Sequence, residues 1–535
     1  MHTALLIDEI LQVILGHCEE WTGTQYRDTL AKLARCCKAW KEPALDRLWK
    51  RVDNPEALQK LNDMFEGCKV RDIPLFRRCE HVSPSVMQSP EDFSFLLSHS
   101  LLYASRVRHL TLNAPPAYPA MTRDLTPFPN LKSLVLKGEG YSIDSILLRT
   151  TSLQELDIDL RSPRSRKPTE DRSLQLATTL EDAPSLRDSL QTLRLKGFMH
   201  TALNRLIPSF QNLRSLVLLA GHSLSSDTLA ALGSIAYLEN LYVHASHIDS
   251  GDFTAAVTRR SVQPFSSLRS LRVRASRSLF CAIFDMLPRG TLRSLYLETE
   301  EAAQGPSAWH PTFALIASKT ADTLIELTLD QILDPDELEA TLSSAPADTR
   351  FALNTLQPLS KLRVLRRLTI DAMLLPDFSD RDIDQMAAWW PRLERLDLGF
   401  LPDVQDHGED IVPKLTVNVL QHLAMRCPSL HTLTIPLDIT TCKATNSKSV
   451  SGDEQTTRPL VAQKALEKLF VGPPPADEDV NVFVRSVLDI FPCMQEIEFT
   501  SAERSLWLDV QKGFKDCARE VEGRKGTSDG CADGQ

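Results

Sequence analysis

Several short spacings in this chain are of the kinds that carry chemistry. Asp157-x-Asp159 and Asp382-x-Asp384 could offer paired carboxylates to a metal ion, Gly138-Glu139-Gly140 begins like a dinucleotide-binding turn, and Glu298 and Asp330 could act as an acid and a base. Each falls short on its own terms. The dinucleotide turn needs a third glycine that does not follow. Asp157 and Asp159 sit on a strand-like segment, and Asp382 and Asp384 open a helical one, where acids favour the helix dipole. The 13 histidines share no spacing, and no His-Glu-x-x-His, Gly-x-Ser-x-Gly or lysine-bearing phosphate loop occurs. The 11 cysteines, scattered from Cys18 to Cys531, include no Cys-x-x-Cys pair. They read as core thiols in a reducing compartment, without the ligand spacing of a zinc site. No catalytic reaction, metal or cofactor is expected.

A second set of residues suits recognition instead. Arg194, Tyr242, Arg272, Arg274 and Tyr296 are the aromatic and arginine types that dominate protein-binding hot spots. All but Arg274 stand at the middle position of a recurring Leu-x-x-Leu-x-Leu motif, between its last two leucines, and Arg274 stands just after one. Flanking positions add Asp159, Lys196, His244, Glu298, Asp330 and Asp371. These residues form a surface only if the motif folds the same way every time.

The motif accounts for the most unusual feature of the composition. Leucine fills 82 of 535 positions. Clear copies run from Leu131/Leu134/Leu136 to Leu466/Leu469/Val471, with weaker ones at Val107/Leu110/Leu112 and Met494/Ile497/Phe499, and the middle leucines of the clear copies lie 22 to 41 residues apart. Alternation over the last three residues puts two apolar side chains on one side of a short strand and the residue between them on the other. Helix-period segments precede many strands and end at proline, as in Asp382 to Pro391, Val417 to Pro428 and Asn481 to Pro492. Helix, turn and strand, repeated, predict an α/β solenoid with parallel strands on the concave face and helices on the convex face.

This pattern resembles the leucine-rich repeat over roughly residues 105 to 500. It departs from that family in carrying no Asn or Cys three residues past the last strand leucine, where the family builds an internal hydrogen-bond ladder. The expectation is therefore an irregular horseshoe. Small residues one place earlier, Ala114, Gly138, Gly197, Ala220, Ala245, Ala275 and Ala372, predict a tight turn off the strand. Residues 161–172 and 440–459 read as loop insertions too poor in apolar residues to fold.

The first fifty residues follow another rule. Leu6, Ile10, Val13 and Ile14 share a helical face that Leu11 and Leu15 widen, and Leu30, Leu33, Ala34 and Cys37 repeat the spacing. A third helix is expected near Pro43, presenting Leu45, Leu48 and Trp49. The segments Leu6-Ile7-Asp8-Glu9-Ile10-Leu11, Leu30 to Trp40 and Pro43-Ala44-Leu45-Asp46-Arg47-Leu48-Trp49 resemble an F-box of the fungal type, with Leu6-Ile7 where the family opens with Leu-Pro. The resemblance implies that Leu6, Ile7, Ile10, Leu11, Ile14, Leu30, Leu33, Cys37, Trp40, Leu48 and Trp49 divide between a small core and a surface docking a Skp-type adaptor of a cullin–RING ubiquitin ligase. The chain would then be a substrate receptor whose repeat face binds a protein target. The alternatives are a repeat scaffold that joins no ligase, whose first helices only cap the solenoid, and a regulator of a small GTPase.

The domain reading is thus a helical module over 1–52, a helical linker over 53–104, the solenoid over 105–510 and a disordered tail over 511–535. With 60 Lys and Arg against 70 Asp and Glu, the net charge of −10 disfavours nucleic acid as a partner. Asp8 and Glu9 interrupt the only apolar stretch at the start, no basic leader precedes it, and no run reaches bilayer length, so neither a membrane location nor secretion is expected. The compartment expected is cytoplasmic, nuclear or both, with Arg161 to Lys167 readable as a nuclear signal or as a plain basic loop.

Overall fold

Each copy of the leucine motif becomes a strand, and consecutive strands pair in parallel. The computed structural model describes residues 13–15, 17, 23–36, 40–41, 43–44, 47, 51–52, 81–82, 107–113, 128–137, 148, 150–161, 170–260, 265–301, 309–332, 351–371, 377–399, 414–438, 462–471 and 480–499. They belong to two compact units, Met1–Leu238 and Glu239–Gln535.

In the first unit β1 (Arg51–Val52), β2 (His81–Val82), β3 (His109–Asn113), β4 (Ser133–Lys137), β5 (Glu155–Asp159), β6 (Thr192–Lys196) and β7 (Ser215–Leu219) pair in sequence order. In the second, β8 (Asn240–His244), β9 (Ser270–Arg274), β10 (Ser294–Thr299), β11 (Glu326–Gln331), β12 (Arg367–Asp371), β13 (Arg395–Asp397), β14 (Thr432–Ile435), β15 (Lys468–Val471) and β16 (Glu496–Phe499) do the same.

Register follows from the leucines. Leu241, Leu271, Leu295, Leu327 and Leu368 are mutual partners across β8 to β12, as are Val243, Val273, Leu297, Leu329 and Ile370. All are buried. A one-residue slip would turn a whole strand's apolar set to the other face, so the pattern specifies a single pairing. Burying each such side chain stabilises by about 1.5–3 kcal/mol. The alternate residues, Tyr242, Arg272, Tyr296 and Thr328 among them, stay half-buried on the opposite face, which carries no helix among the described residues.

Helices close the apolar face. Asp380–Trp389, Asn418–Arg426 and Val480–Ile490 stop just short of Pro391, Pro428 and Pro492, as predicted. Asp382 completes a capping box with Ser379, which accounts for that acid without a metal. Between other strands short 3₁₀ turns appear, at Ile207–Ser209, Gly221–Ser223 and Gln357–Lys361, and β13 has only three residues. The solenoid is irregular, as expected.

The missing family ladder has local substitutes. Buried Asn204 donates through Nδ2 to Ser223 O (2.8 Å) and Met199 O (3.3 Å), while Ser223 Oγ accepts from Met199 N (2.8 Å). Gln463 donates to Leu430 O (3.0 Å) and accepts from Leu466 N (2.9 Å). Loop backbone that would otherwise be buried unpaired is thereby satisfied. The small residues past the strands are small because the space is taken: Ala220, Ala245 and Ala275 are buried, and Gly197 has φ +106° with a would-be Cβ 2.9 Å from Arg161 N. Ala114, Gly138 and Ala372 lie outside the described residues.

Three expectations need correction. The sheet begins at Arg51, inside the stretch read as the helical module, and His81–Val82 is a strand within the span read as a helical linker. Two-residue strands are too short to show alternation. Residues 170–172 belong not to a loop insertion but to the helix Glu170–Glu181. Val13 is 62% exposed, so the buried face of the first helical segment turns through Leu15 instead. Residues 440–459 and 511–535 lie outside the described residues.

Candidate protein-interaction site

Four of the five residues proposed for recognition come together on the helix-free face of β8, β9 and β10. Register places Tyr242, Arg272 and Tyr296 in one cross-strand row, and His244, Arg274 and Glu298 in the row two residues on. Adjacent strands stand about 4.8 Å apart, close enough for a guanidinium to fit between rings on its two neighbours. The Arg272 guanidinium carbon lies 4.4 Å from the Tyr242 ring centre and 4.0 Å from that of Tyr296. Beneath it, Arg272 Nε donates to Glu298 Oε1 at 2.5 Å. The Glu298 side chain is 3% exposed and that of Arg272 is 41% exposed.

The tyrosine hydroxyls are tied down as well. Tyr296 donates to Asp330 Oδ2 at 2.8 Å, and the Tyr242 oxygen lies 3.0 Å from His244 Nε2 and 3.5 Å from Glu298 Oε1. Burial pushes the Tyr242 hydroxyl above the usual tyrosine range, and the Glu298 charge adds to it. Burial, then the hydrogen bond to Asp330, does the same for Tyr296. Burial also holds His244 below the ordinary imidazole value, with the Arg274 and Arg272 charges acting the same way and those of Glu298 and Glu300 opposing. Arg274 pairs with Glu300, and Arg277 Nε with Glu301 Oε2 at 3.0 Å. Further along the face Glu326 accepts from Arg367 Nη2 (3.0 Å) and Ser294 Oγ (3.1 Å). The Arg367 bond holds its carboxyl below the usual range.

The result is a rigid cation framed by aromatic rings over a buried counter-ion. Stacking and the ion pair hold its donors and charge in one arrangement. Glu298 and Asp330, first considered as acid and base, instead hold Arg272 and Tyr296. Their role could have been read only from register, because the motif copies that supply them are separated by 24 to 32 residues whose lengths differ from repeat to repeat. Among the described residues no group of three or more His, Cys, Asp or Glu could hold a metal ion, and no helix is long and apolar enough to cross a membrane.

Arg194 is not part of this cluster. It is exposed on β6 in the first unit, in register with Asp157 and Val217.

At the N-terminus, Leu15, Leu30 and Ala44 form a buried cluster against which Tyr26, Leu33 and Ala34 pack. Helical backbone at Val13–Leu15, through Gly23–Cys36 and at Pro43–Ala44 supplies these residues from three segments. Of the residues proposed to face an adaptor, Leu30 is therefore core, and Ile14, Leu33 and Trp40 are half-buried. Leu6, Ile7, Ile10, Leu11, Cys37, Leu48 and Trp49 lie outside the described residues.

No family model and no curated protein matches the chain. Among solved structures it is similar to a crystal structure of the yeast Rad7 and Elc1 complex, at 16% identity and a TM-score of 0.35, covering 86% of this chain and 92% of that one. A leucine-rich-repeat protein of Leptospira interrogans is similar at 15% identity and a TM-score of 0.28, covering 73% and 94%. Neither likeness bears on what this chain binds.

Proposed function

We propose that the chain is a substrate receptor of an SCF-type cullin–RING ubiquitin ligase. Its N-terminal helices dock a Skp-type adaptor, and the helix-free face of the repeat sheet holds a protein target. The observation that carries target binding is the Tyr242–Arg272–Tyr296 sandwich: large, pre-ordered and half-exposed side chains lose little conformational freedom on binding. Adaptor docking rests on the F-box-like spacing, and the packing of Leu15, Leu30 and Ala44 supports it by giving those residues a small core of their own. The exposed Val13 leaves an apolar side chain for a partner to cover. Catalysis would be by proximity: a target lysine held beside a charged conjugating enzyme reacts in an effectively intramolecular step.

The test is co-purification of the intact chain with a Skp-type adaptor, repeated after Leu6→Asp, Ile10→Asp and Trp40→Asp are combined. Recovery with the intact chain and its loss in the triple variant support the proposal. Failure of the intact chain to recover the adaptor favours the second reading, a repeat scaffold outside any ligase, for which the same open face would suffice.

A further inference from the structure

The Arg272 guanidinium has one unused edge. Tyrosine rings cover its two faces and Glu298 takes Nε, yet neither Nη atom has a hydrogen-bond partner among the described residues. A guanidinium has five N–H donors in a fixed plane, and the two end nitrogens form a fork that matches a carboxylate bidentately. The Arg272 side chain as a whole is 41% exposed, so a guest can reach it. Stacking and the Glu298 bond hold the fork still, so a guest meets donors already aimed.

The surroundings select among anions. The bonded pairs of this face set two arginines, Arg272 and Arg274, against three carboxylates, Glu298, Glu300 and Asp330. His244, which burial holds below the ordinary imidazole value, adds no charge at neutral pH. A phosphoryl group carries about −1.5 to −2 charges and would meet this acidic neighbourhood with nothing to neutralise the second. A planar carboxylate brings a single charge into the same surroundings, and its two oxygens match the two Nη donors.

We propose that the end of Arg272 binds the carboxylate of an Asp or Glu side chain in the target protein. The site reads an unmodified acidic residue rather than a phosphorylated one. This rests on the receptor reading, because it names what the receptor's face selects.

The test uses the purified full chain and pools of peptides blocked at both ends, with randomised flanks and a central Asp, Glu, Gln or phosphoserine. Retention of the Asp or Glu pools about tenfold above the Gln pool is expected, since a charge-assisted bidentate pair is of that order. Arg272→Lys should erase the preference, because lysine keeps the charge but loses the planar fork and the stacking. Arg272→Gln should erase it as well. Each variant's thermal melt is checked against the unaltered chain, and Arg272→Lys, the milder change, decides if Arg272→Gln does not fold. Equal retention of the Asp, Glu and Gln pools, strongest retention of phosphoserine, an unchanged preference in Arg272→Lys, or no retention of any pool would each overturn the proposal. Adaptor co-purification is read separately: its failure removes the ligase role and leaves the peptide preference standing, and the reverse pattern removes only the Arg272 assignment.

Discussion

If Arg272 is held as the geometry shows, its energetic link to Glu298 must be larger than either residue's contribution alone suggests. Arg272→Ala removes two ring contacts, about 0.5–1 kcal/mol each at half-exposed sites, and strands a carboxylate whose side chain is 3% exposed. Breaking a fully buried pair costs about 3–5 kcal/mol, whereas exposed pairs give about 0–1. With Glu298 buried but Arg272 41% exposed, an intermediate cost of about 1–2 kcal/mol for the stranded charge is appropriate. The single variant should therefore lose about 2–4 kcal/mol. Adding Glu298→Gln removes the stranded charge, so the double variant should be no worse than Arg272→Ala. The coupling should be about 1–2 kcal/mol, well above the roughly 0.3–0.5 kcal/mol scatter of independent sites. Because repeat arrays open in parts, the readout is hydrogen exchange of the β9 and β10 amides, with denaturant melting as a check. Additive losses within that scatter would refute the buried counter-ion.

Three further outcomes follow from the same packing. Leu295→Ala, at a fully buried strand position, should cost about 2–5 kcal/mol in denaturant melts, while Leu174→Ala, at an exposed helix position, should stay within about 0.5 kcal/mol. Gly197→Ala should lower the melting temperature, since its φ of +106° and the backbone of Arg161 leave no place for a Cβ; an unchanged melt would show that this turn relaxes freely. Burial lowers the His244 value from the unfolded 6.5, so the unfolded chain binds the proton more readily. Stability is then full above that value and declines as pH falls through the folded one. His244→Gln should flatten the melting profile on the acid side of 6.5, and an identical acid limb in the variant would count against it.

The rows of leucine were legible because alternation is local: each motif copy carries its own strand and its own inward face. The open-face row of Tyr242, Arg272 and Tyr296 was legible for the same reason, as the residues between those leucines. Which acid lay under which arginine was not, since a bond from β9 to β10 depends on pairing across loops of unequal length. The N-terminal helices illustrate the same limit within one segment, where a shared apolar face did not distinguish buried Leu15 from exposed Val13. Two-residue strands such as His81–Val82 leave no periodic trace at all.

In the proposed receptor the N-terminal helices dock an adaptor independently of the face that selects a target. Size-exclusion co-elution of the purified full chain with a purified Skp-type adaptor tests it most directly. The prediction is a one-to-one complex formed equally by the unaltered chain and by Arg272→Lys, and absent when Ile10→Asp and Trp40→Asp are combined in a chain that still melts normally. Separate elution of the unaltered chain and the adaptor would contradict it.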